Sequence, residues 1–132
     1  MKYLLDTDTL IYIFKRAGNC LEHLRKLPDE VIATSAVNMF ELEFGLAKSD
    51  KPAPLRAFIH EVKQRYTVLN FDAAAAQKAG EIRAVLQSKG TPIGPYDVQV
   101  AGVALANNLS IVTRNTREFE RVPGLRVENW YD

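Results

Sequence analysis

Tyr3-Leu4-Leu5-Asp6-Thr7-Asp8-Thr9-Leu10-Ile11-Tyr12-Ile13-Phe14-Lys15-Arg16 is the stretch whose reading decides the fold. Three apolar residues make a short buried strand, Asp6-Thr7-Asp8-Thr9 is turn chemistry, and the apolar run beyond it, broken by Gly18-Asn19, reads as a helix. The unit is strand, polar turn, helix, and a carboxylate stands where the strand ends.

The same unit recurs downstream. Leu21, Leu24 and Leu27, spaced by three, predict a short helix stopped by Pro28. Val31-Ile32-Ala33 is strand-like, and Thr34-Ser35 can cap a helix from about Ala36 to Lys48, with Val37, Phe40, Phe44 and Ala47 on one stripe. Ser49 to Pro54 reads as a surface connection into an amphipathic helix, Leu55 to Arg65, that shares Phe58, Ile59 and Val62 on one face. Thr67-Val68-Leu69 is a strand; Asp72 caps an alanine-rich helix that runs to about Lys89 and is ended by Gly90. After a rigid loop, Thr91 to Pro95, a helix opened by Pro95 reaches Asn108, and Leu109 to Val112 and Leu125 to Val127 are the last strands. Strands alternate with helices and no hairpin signal joins neighbouring strands. The expected fold is a three-layer α/β domain with a central parallel sheet covered on both faces. A chain of 132 residues corresponds to one domain, residues 1–132.

Composition narrows the function classes. With 47% hydrophobic and 25% charged residues the chain is an ordinary globular protein. Its +1 net charge means that any nucleic-acid role must come from local clusters. The single cysteine, Cys20, cannot form an internal disulfide, which fits a reduced cytoplasm. The apolar run before Asp6 is too short for a signal-peptide core, and no stretch approaches a membrane span, so a soluble cytoplasmic protein without a membrane partner is expected. No GxGxxG or GxxxxGK[ST] loop is present, which removes the usual nucleotide-cofactor readings, and no hydrolase-elbow motif occurs.

In open parallel sheets, function lies outside the carboxyl ends of the strands, where strand order reverses. Three acids fall at such ends. Asp6 closes the first strand; Asp8, two residues on, reads as an N-cap or as added charge beside it. Glu41 lies two turns into the helix after the second strand, either in a capping box over Asn38-Met39-Phe40-Glu41 or, if Ser35 is the cap, left free. Asp97 stands in the first turn of the helix opened by Pro95, on the side of Val100, Ala101 and Ala104. If Asp6, Glu41 and Asp97 converge, each pair at about 4 Å repels by about 4 kcal/mol at an effective dielectric near 20. Protons or a cation must then offset them. With oxygen ligands only, and His23 and His60 expected at the surface, the natural occupant is Mg²⁺ or Mn²⁺.

In these contexts the chain resembles the PIN-domain nucleases, most closely the VapC-type toxins of bacterial toxin-antitoxin pairs. The matching stretches are Leu5-Asp6-Thr7-Asp8-Thr9, Phe40-Glu41-Leu42 with Gly45, Pro92-Ile93-Gly94-Pro95-Tyr96-Asp97 with Ala101, Thr113-Arg114-Asn115-Thr116-Arg117-Glu118-Phe119, and Pro123-Gly124-Leu125 through Trp130. The resemblance spans nearly the whole chain. It implies a PIN-like three-layer α/β/α fold in which Asp6, Glu41 and Asp97 take the metal-binding acidic positions. Asn115 fills the position where many relatives carry a fourth acid, and Glu118 or Glu120 lies near enough in sequence to substitute.

The implied activity is Mg²⁺-dependent endoribonuclease cleavage, with Mn²⁺ substituting, by metal-assisted hydrolysis of a phosphodiester in structured RNA, with a tRNA loop as the preferred target class. Asp6 and Asp97 are expected as direct ligands. Glu41 is expected as a ligand or as the base, and Thr113 and Asn115 as groups that position water or a phosphate oxygen. Arg114, Arg117, Arg121 and Arg126 form the densest basic group, readable as an RNA track or as a salt-bridged face. Family membership further implies a homodimer, a cognate VapB antitoxin and inhibition of translation. Leu10, Tyr12 and Phe14 are readable as interface or as core. Two rivals stand beside this reading. One is a phospho-accepting receiver domain, which lacks here an acceptor Asp on a middle strand and a Lys on a late one. The other is a PIN-like module that has lost catalysis through Asn115 and acts through antitoxin or RNA binding.

Overall fold

A computed structural model describes residues 1–132. Its elements, in chain order, are β1 (Tyr3–Leu5), α1 (Thr7–Lys15), α2 (Cys20–Arg25), a 3-10 turn (Asp29–Val31), β2 (Ile32–Ser35), α3 (Ala36–Ala47), α4 (Pro52–Arg65), β3 (Thr67–Leu69), α5 (Ala73–Ser88), α6 (Pro95–Ala106), β4 (Ser110–Val112), α7 (Thr116–Phe119) and β5 (Val127–Glu128). All ladders are parallel and the strand order is β3-β2-β1-β4-β5. The chain builds outward from β1 through β2 to β3, then returns to lay β4 on the other side of β1. Strand order therefore reverses between β1 and β4, and the crevice beyond their carboxyl ends is where this topology puts a site.

Alternation along the strands divides the interior into two cores. Leu4, Ala33 and Ile111 face the layer of α5 and α6, with Ala75, Ile82, Val100 and Val103. Tyr3, Leu5, Ile32 and Val112 face the layer of α1 to α4, with Leu10, Met39, Leu42, Ile59 and Val62. This is the three-layer arrangement expected. Leu10 belongs to the second core, Tyr12 packs half-buried against it, and Phe14 is half-buried beside Phe58 at a concavity between α1, α2 and α4. Close approach of α5 to α6 depends on Gly102: a Cβ there would stand 2.6 Å from the Ala75 carbonyl oxygen and 2.8 Å from the Ala79 Cβ. No helix is long and apolar enough to cross a membrane.

Several expectations need correction. Helix α1 starts at Thr7, directly after the strand, because extended Asp6 takes the N-cap position and Thr7-Asp8-Thr9 wind into the first turn. Asp8 is consequently inside the helix and caps nothing. Helix α4 starts at Pro52, not Leu55; the first turn of a helix has unpaired N–H groups anyway, so Pro52 and Pro54 cost it nothing there. In α3 the inward face is Val37, Asn38, Met39 and Leu42, while Phe40 and Phe44 point to solvent. The polar Asn38, taken inward by bonds described below, rotates that helix away from the stripe its aromatics suggest.

Candidate active site

Local capping sets the geometry on the α3 side. Ser35 Oγ accepts from the Asn38 backbone N–H at 3.2 Å, and the Ser35 N–H donates to Asn38 Oδ1 at 3.2 Å, closing a capping box at the end of β2. Glu41 is therefore not a cap and its carboxylate is free to face outward. The box also aims the Asn38 amide. Its Nδ2 donates to Asp6 Oδ1 (3.1 Å) and to Thr7 Oγ1 (3.0 Å), and Thr7 Oγ1 in turn donates to Glu41 Oε1 (2.7 Å). Thus Asp6 and Glu41 are joined through two neutral side chains.

The β4 side supplies the other half of the grip on Asp6. Thr113, fully buried, donates to Asp6 Oδ2 at 2.9 Å and accepts from the Asn115 backbone N–H at 3.0 Å. Asp8 Oδ2 accepts from the Arg114 N–H at 3.0 Å, tying the first turn of α1 to the residue after β4. Thr9 Oγ1 and Thr34 Oγ1 donate to the Val112 and Leu5 carbonyls, at 3.0 and 2.9 Å, and knit the ends of β4, β1 and β2 together.

Asp97 and Asn115 meet at a third point. Asn115 Nδ2 donates to Glu118 Oε2, and Glu118 Oε1 accepts from the Gly94 N–H at 3.3 Å. The Asp97 carboxyl lies within hydrogen-bonding reach of Glu118. Burial, that bond and the neighbouring charges of Asp6, Glu118 and Glu41 push Asp97 up to about 8, while the same bond and Asn115 draw Glu118 below its ordinary range. Burial, followed by the charge of Asp8, pushes Asp6 up to about 7 against the lowering effect of Thr113.

Asp6, Asp8, Glu41, Asp97 and Glu118 thus gather around the β1/β4 reversal, and no lysine or arginine forms an ion pair with any of them. The ion pairs of the protein are Arg25–Glu22, Lys63–Glu43, Arg65–Asp29, Arg65–Glu61 and Lys78–Glu81, all away from this edge. Nor is any group of three His, Cys, Asp or Glu side chains arranged, as they stand, to hold a metal ion. The donor set itself fits a hard divalent cation: it is all oxygen, partly buried, and none of its carboxylates is in an ion pair. His23, exposed and stacked on Trp130 at 5.6 Å, and the exposed His60 lie outside it.

The basic group divides. Arg126 is committed to Ser110 Oγ (3.1 Å) and the Asn108 carbonyl (3.0 Å), and Arg121 to the Pro92 carbonyl (3.0 Å). Arg114 lays its guanidinium 3.6 Å from the Tyr131 ring centroid and bonds the Tyr12 hydroxyl at 3.4 Å. Arg117 is exposed, and its side chain takes part in none of these ties. Sequence reasoning gave no role to Thr7 or Asn38. The available signal was Asn38 itself, a polar residue on the inward side of an apolar helix one turn before Glu41. Two concavities lie elsewhere, about 400 Å³ between α1, α2 and α4 and about 510 Å³ between α5, α6 and the loop before α6, neither lined by these acids.

A parallel sheet in this order, with carboxylates at its reversal point, defines a class, and the PIN domain family model matches residues 3–125. Among curated relatives, the chain is 42% identical, over 98% of each sequence, to a tRNA(fMet)-specific endonuclease VapC of Salmonella typhimurium, and 37% identical, again over 98% of each, to Ribonuclease VapC2 of Haemophilus influenzae. Among solved structures it superposes on the DNA-bound VapBC of Salmonella typhimurium with a TM-score of 0.91 at 40% identity, covering 98% of each chain. On the promoter-bound VapBC2 of Rickettsia felis it gives 0.88 at 32%, covering 98% of this chain and 99% of the other. The chain belongs to the PIN-domain family, in its VapC branch.

Proposed function

We propose that this protein is a metal-dependent endoribonuclease toxin that hydrolyses phosphodiester bonds in structured RNA, a tRNA in the first instance, and so inhibits translation. The observation that carries the reading is the group of carboxylates at the β1/β4 reversal, none of them held in an ion pair. Its relatives' names give the direction: a chain 42% identical is a tRNA(fMet)-specific endonuclease.

Asp6, Asp97 and Glu41 would hold the cation, Mg²⁺ with Mn²⁺ as substitute, and Glu118 is the nearest further acid. When bound, such an ion supplies Lewis-acid chemistry, making water a better nucleophile and offsetting charge on phosphoryl oxygens. Residues of the chain do the rest. Asn38 and Thr113 fix the two oxygens of Asp6, Thr7 orients Glu41 as ligand or as acceptor of the attacking proton, and Thr113 with Asn115 lines the approach of water or phosphate. Glu118 beside Asp97 supplies the carboxylate that Asn115 lacks, which favours a working nuclease over a module that only binds. Arg117 is the cation left to contact a phosphate.

Solved relatives are VapBC complexes, which supports a VapB-type antitoxin as the partner in the cytoplasm. The family resemblance adds a homodimer, and light scattering at twice 14.8 kDa is the expected result. The deciding experiment incubates purified total tRNA with the protein and Mg²⁺, Mn²⁺ or EDTA and maps the ends. Discrete cuts with either metal and none in EDTA are expected. Intact RNA under all three conditions would overturn the reading.

A further inference from the structure

Beside the acids lies a feature that the hydrolytic reading does not use. Phe40, Phe44 and Tyr96 are 51, 60 and 45% exposed. Aromatic rings normally bring most of their area into a core, so three on one side of a small protein indicate a surface that meets something. The Phe40 and Tyr96 rings touch, with centroids 5.3 Å apart and planes tilted by 54°. Phe40 directly precedes Glu41 and Tyr96 directly precedes Asp97. Each ring is thus carried one peptide, about 3.8 Å along the backbone, from a candidate ligand.

Along α3 the stripe continues at helical spacing. Phe44 lies one turn beyond Phe40, Lys48 one turn beyond Phe44, and the Lys48 ammonium stands 4.7 Å above the Phe44 ring. Glu43, the acid that would oppose a polyanion here, is paired with Lys63 at 3.8 Å. We propose that Tyr96, Phe40 and Phe44 form a stacking track for unpaired bases of an RNA strand, starting beside the reacting phosphate and ending at the Lys48 cation. Aromatic platforms followed by cations are how single strands are held without reading of sequence, and splayed bases of RNA loops stack on such rings. The track rests on the ribonuclease reading and adds to it the conformation of the substrate, an unpaired strand, and the side on which that strand leaves the acids. The Lys48 ammonium over Phe44 and the pairing of Glu43 with Lys63 suit a polyanionic strand on this stripe, and a second copy of the chain is the alternative occupant that the test separates.

The test uses a single-stranded oligoribonucleotide carrying 2-aminopurine, whose fluorescence is quenched by stacking, titrated with the protein in EDTA so that binding is read apart from cleavage. Phe40→Leu and Tyr96→Leu keep an apolar side chain but lose the flat ring. Each is expected to weaken binding roughly five- to a hundredfold and to relieve the quench, while Phe40→Trp restores both. Thermal melts equal to wild type exclude a folding defect. Leucine variants that bind and quench as wild type does would overturn the track, as would variants whose only change is a lower mass by light scattering, which would make the patch a self-interface. Quenching by a wild-type protein that cuts no RNA would uphold the track and sink the nuclease.

Discussion

The two sides of the β1/β4 reversal handle their acids differently. On the β1–α3 side, every oxygen of Asp6 and one of Glu41 is met by a neutral donor, Asn38, Thr113 or Thr7, that is itself fixed by a cap, a backbone bond or, for Thr7, the Asn38 amide. On the α6–α7 side two carboxyls, Asp97 and Glu118, are close enough to shift each other's ionisation in opposite directions, with Asn115 as the bracing amide. The first arrangement is rigid before any ligand arrives. The second sets two acids side by side, with Asp97 held toward its protonated form, an arrangement that a cation would change. The difference separates residues that shape the site from residues that wait for charge, and substitutions on the two sides should therefore fail in different ways.

The largest effect is expected on the acids themselves. Asp6→Asn and Asp97→Asn should each lower tRNA cleavage roughly a thousandfold or more, since several kcal/mol of charge stabilisation is removed. Asp97→Asn should leave the metal-free melting temperature equal or higher, because an amide in the same space ends the cost of burying a carboxylate, whereas Asp6→Asn turns an amide N–H₂ toward the Asn38 or Thr113 donor and should keep the fold at a modest loss of stability. Undiminished cleavage by either variant, or collapse of the fold, would break the assignment.

Next come the amides. Asn38→Ala strips donors from Asp6 and Thr7 and a partner from Ser35 in a fully buried spot, so denaturant unfolding should register a loss of roughly 1–3 kcal/mol along with reduced cleavage. Asn115→Ala on the looser side should cost measurably less stability while still impairing cleavage. Equal stability losses would erase the contrast drawn above.

How much of this was legible in the sequence follows the range of the interactions. The Ser35 and Asp72 caps, Pro95 opening a helix and Asp6 closing a strand are decided by neighbours within a turn, and the chain states them directly. The strand order is not local, yet alternation of strands and helices was enough to give the parallel sheet. What could not be read was which face of α3 turns inward, because that is fixed by Asn38 reaching Asp6, a bond across thirty-two positions. Phe40 and Phe44 then look like core by periodicity and end in solvent. Likewise Glu118 is one more acid in a charged run until α6 and α7 bring it to Asp97. Arg114 and Arg126, cations by sequence, are occupied by Tyr131 and by the Asn108 carbonyl.

A subtler test concerns protons. Asp6 and Asp97 titrate near 4 in an unfolded chain and at about 7 and about 8 in the metal-free fold, so between those values the folded state holds more protons than the unfolded one. Stability of the metal-free protein should therefore fall as pH rises from about 4 to about 8. Glu118, whose pKa is lowered, acts in the opposite sense only at the acidic end, where its contribution is lost as pH falls. Mg²⁺ should raise the melting temperature at pH 8, where the carboxylates are ionised, and do little at pH 5. A metal-free melting temperature that climbs across this window, or an equal Mg²⁺ effect at both pH values, would contradict the proposed use of these acids.

The smallest expected effect distinguishes a phosphate contact from a structural cation. Arg117 is exposed and none of the ties that hold Arg114, Arg121 and Arg126 reaches it, so Arg117→Ala should leave stability unchanged and lower the slope of log affinity for RNA against log salt by roughly one. Arg126 makes the complementary control, since its guanidinium bonds Ser110 and Asn108 at the sheet edge. Arg126→Ala should lower the melting temperature and leave the salt slope where it was. Cations of equal formal charge, a few residues apart in sequence, would then differ in function because one is bound to the protein's own carbonyls and the other is free. An unchanged slope for Arg117→Ala would remove it from the RNA path and leave the acid edge, with whatever aromatic surface adjoins it, to hold the strand.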